Sequence, residues 1–249
     1  MCPHLSSEVT AVINETLKAV DSKSAVGRIF FYLVKAVDCL NHNILLSKLQ
    51  FYGVNGKAKS WFESYVNNTC MRVQISDEEL NQTSFSAWEK ITDGVPQGSV
   101  LGPFVFLIYV SDLPKTVNDK TVPKFFADDT SVIVKSPNSK DFQTNMVAAF
   151  NCVNKWFKVN LLPINVDRTH YIQFKAKNKP TLDINIVCND NLITTLPNIK
   201  FLGIYVYDSI NWSCHIEYII PKLSSACYII RSIKPFMSLI TLKTLLFLS

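Results

Sequence analysis

Two adjacent carboxylates, Asp128 and Asp129, stand between the apolar runs Val122–Ala127 and Val132–Val134. Apolar residues, a short polar break and then β-branched residues predict strand, tight turn, strand, with the pair at a hairpin tip. Two uses suit such a pair. Aspartate is a common turn residue because its side chain bonds the nearby backbone. Neighbouring carboxylates also repel, so one pKa rises unless a cation lies between them. For the pair alone both readings stand. A second stretch has its own chemistry. Gly94-Val95-Pro96-Gln97-Gly98-Ser99 predicts a turn entering the apolar helix Val100–Val110. Such a turn offers backbone amides to a ligand, or is a plain loop.

The rest of the composition narrows the classes. The chain has 249 residues, 48 % hydrophobic and 18 % charged, enough to bury a sizeable core. Lys plus Arg number 25 against 20 for Asp plus Glu, and the net charge of +5 permits a polyanionic partner without demanding one. Seven cysteines at 2, 39, 70, 152, 188, 214 and 227 form no C-x-x-C pair, and with four scattered histidines they argue against structural zinc. Free thiols in a reducing, intracellular compartment, cytoplasm or nucleus, are the expectation. No signal-peptide pattern opens the chain, and no apolar run nears the roughly 18 residues that would span a bilayer.

The elements that must position these stretches follow from periodicity. Helices are expected at residues 7–20, at Asn43–Tyr52, at Ala58–Val66 with Trp61, Phe62 and Tyr65 inward, and through Phe142–Phe157. Strands are expected at Arg28–Val34, His170–Phe174 and Ile199–Val206, with a short antiparallel pair, Arg72–Ile75 and Ser84–Trp88, joined by a loop at 76–83. A last helix from about Cys214 to Ile233 carries Pro221 too late for a first turn, which predicts a kink or a delayed start. Helices and strands mix without βαβ alternation, so the fold class is α+β with a mainly antiparallel sheet. The polar loop Lys175–Lys179 divides the chain into 1–175 and 176–249.

Together these residues carry a resemblance. Gly94–Pro103, an apolar helix and then Phe126-Ala127-Asp128-Asp129-Thr130 resemble the reverse transcriptase of non-LTR (LINE-like) retrotransposons. Lys35-Ala36-Val37-Asp38-Cys39-Leu40-Asn41-His42 resembles the segment around that family's first catalytic strand, and Trp61–Tyr65 the helix after it. Trp156-Phe157, Asn160-Leu161-Leu162, Asn165 and Arg168-Thr169 resemble its palm helix and next strand. Phe201-Leu202-Gly203-Ile204, Asn211-Trp212 and His215-Ile216 resemble the primer-grip hairpin and the entry to the thumb. The resemblance implies a palm with partial fingers and an incomplete thumb. It implies an RNA-directed DNA polymerase acting on an RNA template, a DNA primer and deoxynucleoside triphosphates. Nucleotidyl transfer of this kind uses two Mg²⁺ ions about 4 Å apart. By resemblance Asp128 is the principal ligand and Asp129 the second. Gln97 and Gly98 touch nucleotide or template, Arg168 lies near the triphosphate, and Leu202 and Gly203 hold the primer end. For His42 and His215 a structural hydrogen bond is expected.

Departures from the pattern change the expectation. The match from Lys35 to His42 fixes a register that puts Tyr32 where the family's first catalytic Asp belongs. A phenol with a pKa near ~10 is neutral at pH 7 and does not replace a carboxylate that bridges two metals. Asp38 does not substitute, because the family has an Asp there as well. Val37 stands where the family has an aromatic under the nucleotide sugar, which weakens discrimination against ribonucleotides. Arg168 replaces a usual Lys; it keeps the charge but is a poor proton donor. The family's basic finger strands precede the point where this chain begins, and Leu246-Phe247-Leu248-Ser249 stops within an apolar pattern. The expectation is a degenerate, truncated domain with weak or partial Mg²⁺ occupancy and no polymerase turnover, or a non-catalytic remnant that binds nucleic acid.

Overall fold

The computed structural model describes the chain except residues 1–9, 11–12, 19–20, 23, 78–81, 97, 117–120, 127–128, 175–181, 183, 210–211, 239–240 and 242–249. A first helix, α1, is described over residues 13–18. Then come β1 (Ala25–Tyr32), α2 (His42–Phe51), α3 (Gly56–Asn67), β2 (Cys70–Met71), β3 (Gln74–Asp77), β4 (Gln82–Phe85), β5 (Glu89–Lys90) and α4 (Leu101–Val110). The second half holds β6 (Thr121–Phe126), β7 (Asp129–Ser136), α5 (Ser139–Val159), β8 (His170–Phe174), β9 (Ile186–Cys188), β10 (Asn191–Ile193), β11 (Asn198–Phe201), β12 (Ile204–Tyr207) and α6 (Ser213–Ile233).

Strand β1 is the middle of the molecule. Its residues are buried from Val26 to Phe31 on both faces, so no polar alternation marks it in sequence. It begins three residues earlier than expected, and Gly27 is the reason. A Cβ there would meet Phe142 Cζ at 2.8 Å and Met146 Sδ at 2.9 Å. The strand therefore passes close under α5 only where it has no side chain. β1 pairs antiparallel with β7 on one side and β8 on the other, giving the order β6-β7-β1-β8. The architecture is the expected α+β one.

Each sheet face has its own cover. On one, α5 lays Phe142, Met146, Phe150, Val153 and Phe157 into the core that also holds Ile29, Phe31, Val132 and Val134. Phe31 stacks on Phe150 at 5.4 Å. Each such aromatic or aliphatic burial is worth roughly 1.5–3 kcal/mol. Lys48 ties α2 to this layer: its ammonium donates to Tyr109 O (2.5 Å) and Asp112 Oδ1 (2.7 Å) and lies over the Tyr109 and Trp156 rings. On the other face, the β11–β12 hairpin covers Val26, Phe30, Ile172 and Phe174 with Ile199, Phe201 and Leu202. Phe201 meets Phe30 edge-on at 5.1 Å.

Several expectations need correction. Trp61 is 53 % exposed rather than inward and stacks parallel on Tyr65 at 6.0 Å; Phe62 and Tyr65 are half-buried and pack against the core as expected. Trp156, by contrast, is a core residue. The strand pair after α3 is longer than expected. β3 and β4 pair from Gln74 with Phe85 to Asp77 with Gln82, and β2 and β5 extend the hairpin below. Helix α6 starts at Ser213 and runs through Pro221, so the delayed start is not seen. The boundary expected at Lys175–Lys179 lies outside the described residues. Cys39, Cys70, Cys152, Cys188 and Cys227 are free thiols, and no described helix is long and apolar enough to cross a membrane.

Candidate active site

The C-terminal end of β1 gathers the residues singled out by sequence. The register places Tyr32 directly opposite Asp129, and Asp129 in turn opposite Phe126. Asp129 is thus the first residue of β7 rather than the turn itself. Asp128, one of two residues linking β6 to β7, lies outside the described residues. On the other flank of β1, Asn165 N donates to Tyr32 O (2.7 Å) and Tyr32 N donates to Thr169 Oγ1 (3.4 Å). Asn165 caps the 3-10 turn Val166–Arg168, accepting from Arg168 N at 3.1 Å. Arg168 is exposed and one residue from the hydroxyl that bonds Tyr32. The chain therefore brings Tyr32, Asp129 and Arg168 to one sheet end.

Past Tyr32 the backbone turns sharply at Lys35, whose φ is 48°. Asp38 N and Cys39 N both donate to Lys35 O, at 2.9 and 3.1 Å. This turn is fastened to the glycine-rich block. Gly94 N donates to Leu40 O (2.7 Å) and Val95 N to Val37 O (3.3 Å). Asn41 Nδ2 donates to Asp93 Oδ1 at 3.0 Å. His42 Nε2 lies 2.7 Å from Gly94 O, an acceptor, so Nε2 carries the proton. Gly94 has φ of 80°, and a Cβ on it would sit 2.5 Å from Asp38 O. Only glycine meets both demands. The two motifs, 52 residues apart at His42 and Gly94, are one structure.

Between them lies a pocket of about 380 Å³ lined by Lys35–Asp38 and by Pro96, Gly98, Ser99, Gly102 and Pro103. Val37 and Gly98 face the same space; Gln97 lies outside the described residues. No aromatic lines the pocket. Burial beside Asp38 and Asp93 raises the pKa of the Cys39 thiol, with desolvation the largest cause, so this thiol is no activated nucleophile.

Leu202 and Gly203 form the turn of the β11–β12 hairpin. Phe201 pairs with Ile204, and the two linking residues have φ of 49° and 83°. Two positive φ angles in a two-residue loop match the type I′ turn that suits twisted strands. A leucine there is strained, and its burial in the second core offsets the cost. The hairpin's Lys200 lies within electrostatic reach of Tyr32. His215 accepts weakly from Tyr205 N at 3.4 Å, a structural bond as expected. Sequence reading passed over Lys200, Tyr218 and Lys222. The Tyr–Lys spacing on a helix was visible, but their meeting with β11 is tertiary.

The β1 residue paired in register with Asp129 is Tyr32, a phenol. Among the described residues no group of three His, Cys, Asp or Glu side chains comes together.

The family model described as "Reverse transcriptase (RNA-dependent DNA polymerase)" matches residues 5–206. Among curated proteins, the chain is 23 % identical over 222 residues to a probable RNA-directed DNA polymerase from transposon BS of Drosophila melanogaster, covering 84 % of this chain and 23 % of that protein. It is 24 % identical to the RNA-directed DNA polymerase from mobile element jockey of the same species, over 82 % of this chain and 22 % of that protein. The chain thus spans about a quarter of the length of these relatives. Among solved structures, apo telomerase from Candida tropicalis, truncated from its C-terminal domain, superposes with a TM-score of 0.51 at 17 % identity, over 81 % of this chain and 39 % of that one. That likeness concerns the fold.

Proposed function

We propose that this chain, which belongs to the reverse transcriptase (RNA-dependent DNA polymerase) family, keeps a palm able to bind a primer–template but does not carry out nucleotidyl transfer. Its relatives bear out the resemblance to retrotransposon enzymes read from the motifs. The observation that carries the inactive reading is the pairing of Tyr32 with Asp129. In the family two Mg²⁺ ions would activate the primer 3′-hydroxyl and hold the triphosphate. Here the residue facing Asp129 offers a neutral hydroxyl, so no step is assigned to a metal.

What remains are binding groups. The pocket beside Val37 and Gly98 has the size of a nucleotide sugar and base, with glycine and proline backbone along one wall. Arg168 presents a fixed positive charge at the sheet end, able to orient phosphate without donating a proton. The Leu202–Gly203 turn holds its hairpin over β1, where a primer end would lie.

Primer extension with Mg²⁺ or Mn²⁺ tests the reading. The unaltered chain is expected to bind an RNA–DNA hybrid and to add no templated nucleotide. Templated incorporation by the unaltered chain would overturn it. Tyr32→Asp restores a carboxylate opposite Asp129 and is expected to raise Mn²⁺ affinity by calorimetry, whether or not turnover returns. No gain in metal affinity would mean that the Tyr32 position is not the missing ligand.

A further inference from the structure

Helix α6 sets Tyr218 and Lys222 one turn apart, and strand β11 brings Lys200 to the same phenol. Lys200 Nζ lies 3.0 Å and Lys222 Nζ 2.7 Å from Tyr218 Oη. Both ammonium groups also lie over the Tyr218 ring, at 4.8 and 4.3 Å from its centroid. Tyr205 steadies the ring edge-on at 5.2 Å. Two like charges are thus gathered on one neutral oxygen, no farther apart than the two bond lengths together. Neither forms an ion pair with a carboxylate among the described residues. Their joint field pulls the phenol down to about 8, the hydrogen bonds from Lys200 and Lys222 being the chief cause. Near pH 7 the phenol is still mostly protonated, so the cluster keeps its double positive charge.

An exposed cation pair held in place without an anion is arranged for one. Both lysines are exposed, which suits a strand passing over them more than an enclosed small ion. Lys200 also lies within electrostatic reach of Tyr32 at the candidate site. We propose that Lys200 and Lys222, held by Tyr218, seat a backbone phosphodiester of the bound nucleic acid and anchor it without metal. This rests on the nucleic-acid reading above and names the residues that bridge the hairpin to the first thumb-like helix.

Fluorescence anisotropy of an RNA–DNA hybrid, in EDTA and across a salt series, tests it with the full chain. Lys200→Ala with Lys222→Ala is expected to weaken binding roughly tenfold and to flatten the logarithmic salt slope by about one, for the one phosphate no longer neutralised. The double arginine variant keeps both affinity and slope. Tyr218→Phe, which frees the two ammonium groups, falls between. Lys57→Ala with Lys59→Ala on α3 leaves binding unchanged. Lys57, Lys200 and Lys222 are exposed, Lys59 and Tyr218 half-buried, and circular dichroism checks each fold. Unaltered affinity and slope in the double alanine variant would overturn the seat alone. No binding by the unaltered chain would overturn the nucleic-acid reading, and the seat with it.

Discussion

Arg28 on β1 is a buried charge that the sheet does not pair. Arg28 is fully buried, and its three guanidinium nitrogens have no hydrogen-bond partner among the described residues. It sits on the sheet face of Val26 and Phe30, where Glu15 of α1 is a favourable charge. Glu15 itself is pulled toward Lys124, at 3.6 Å. An unpaired buried cation is costly, so Arg28→Leu is expected to stabilise the fold by roughly 1–4 kcal/mol at pH 7. The pH dependence has a definite sign. Burial lowers the folded pKa from the ordinary guanidinium range to about 9. Below 9 both states hold the proton and the penalty is fully present. Above 9, and below the ordinary guanidinium value, the unfolded chain binds a proton that the folded chain does not, so the unaltered chain gains stability as pH rises. The advantage of Arg28→Leu, read from urea melts, should therefore shrink above pH 9. A constant advantage at pH 7 and pH 10 would mean that the guanidinium stays charged where it lies.

At the scale of elements, sequence spoke most clearly where one face is wet. Helix α5 was legible from its spaced aromatics because only one side meets the core. β1 was legible as a strand but not in its bounds, since both faces are covered and the deciding residue, Gly27, has no side chain to show a pattern. Helix α3 misled for another reason. Three aromatics at helical spacing were read as inward, yet only Phe62 and Tyr65 pack against the core beside the buried Val66, while Trp61 stacks in solvent. The site motifs were legible as motifs. The bonds that join Gly94 to Leu40 and His42, and its close pass by Asp38, were not, because they link segments distant in the chain. The two tryptophans separate these cases by experiment. Trp61→Ala should cost less than about 1 kcal/mol, and Trp156→Ala, which opens a cavity beside Lys48, about 3–5 kcal/mol. Similar losses in thermal or urea denaturation would place Trp61 in a buried contact.

For the molecule as a whole, composition promised a sizeable core but not its division. Two cores flank one sheet, the larger under α5 and the smaller under the β11–β12 hairpin. The order β6-β7-β1-β8 depends on long-range pairing that no local pattern shows. It makes β1 and β7 the two strands of this sheet with both edges paired, and both faces of each are buried over most of their length. The β2–β5 hairpin is the opposite case. Met71, Val73, Ile75, Phe85 and Trp88 are all exposed, and Arg72 lies between the Phe85 and Trp88 rings in solvent. A two-stranded hairpin without a covered face is marginal in water. Local opening should thus cost little there and approach the global unfolding free energy in β1. Native-state hydrogen exchange is expected to show the amides of Ile29 and Phe31 among the slowest. The paired amides of β3 and β4 should exchange faster by orders of magnitude, with little dependence on Arg28→Leu. In β1, the same substitution should slow exchange in proportion to the stability it adds. Equal protection in the two regions would show that the hairpin is covered after all and unfolds with the sheet.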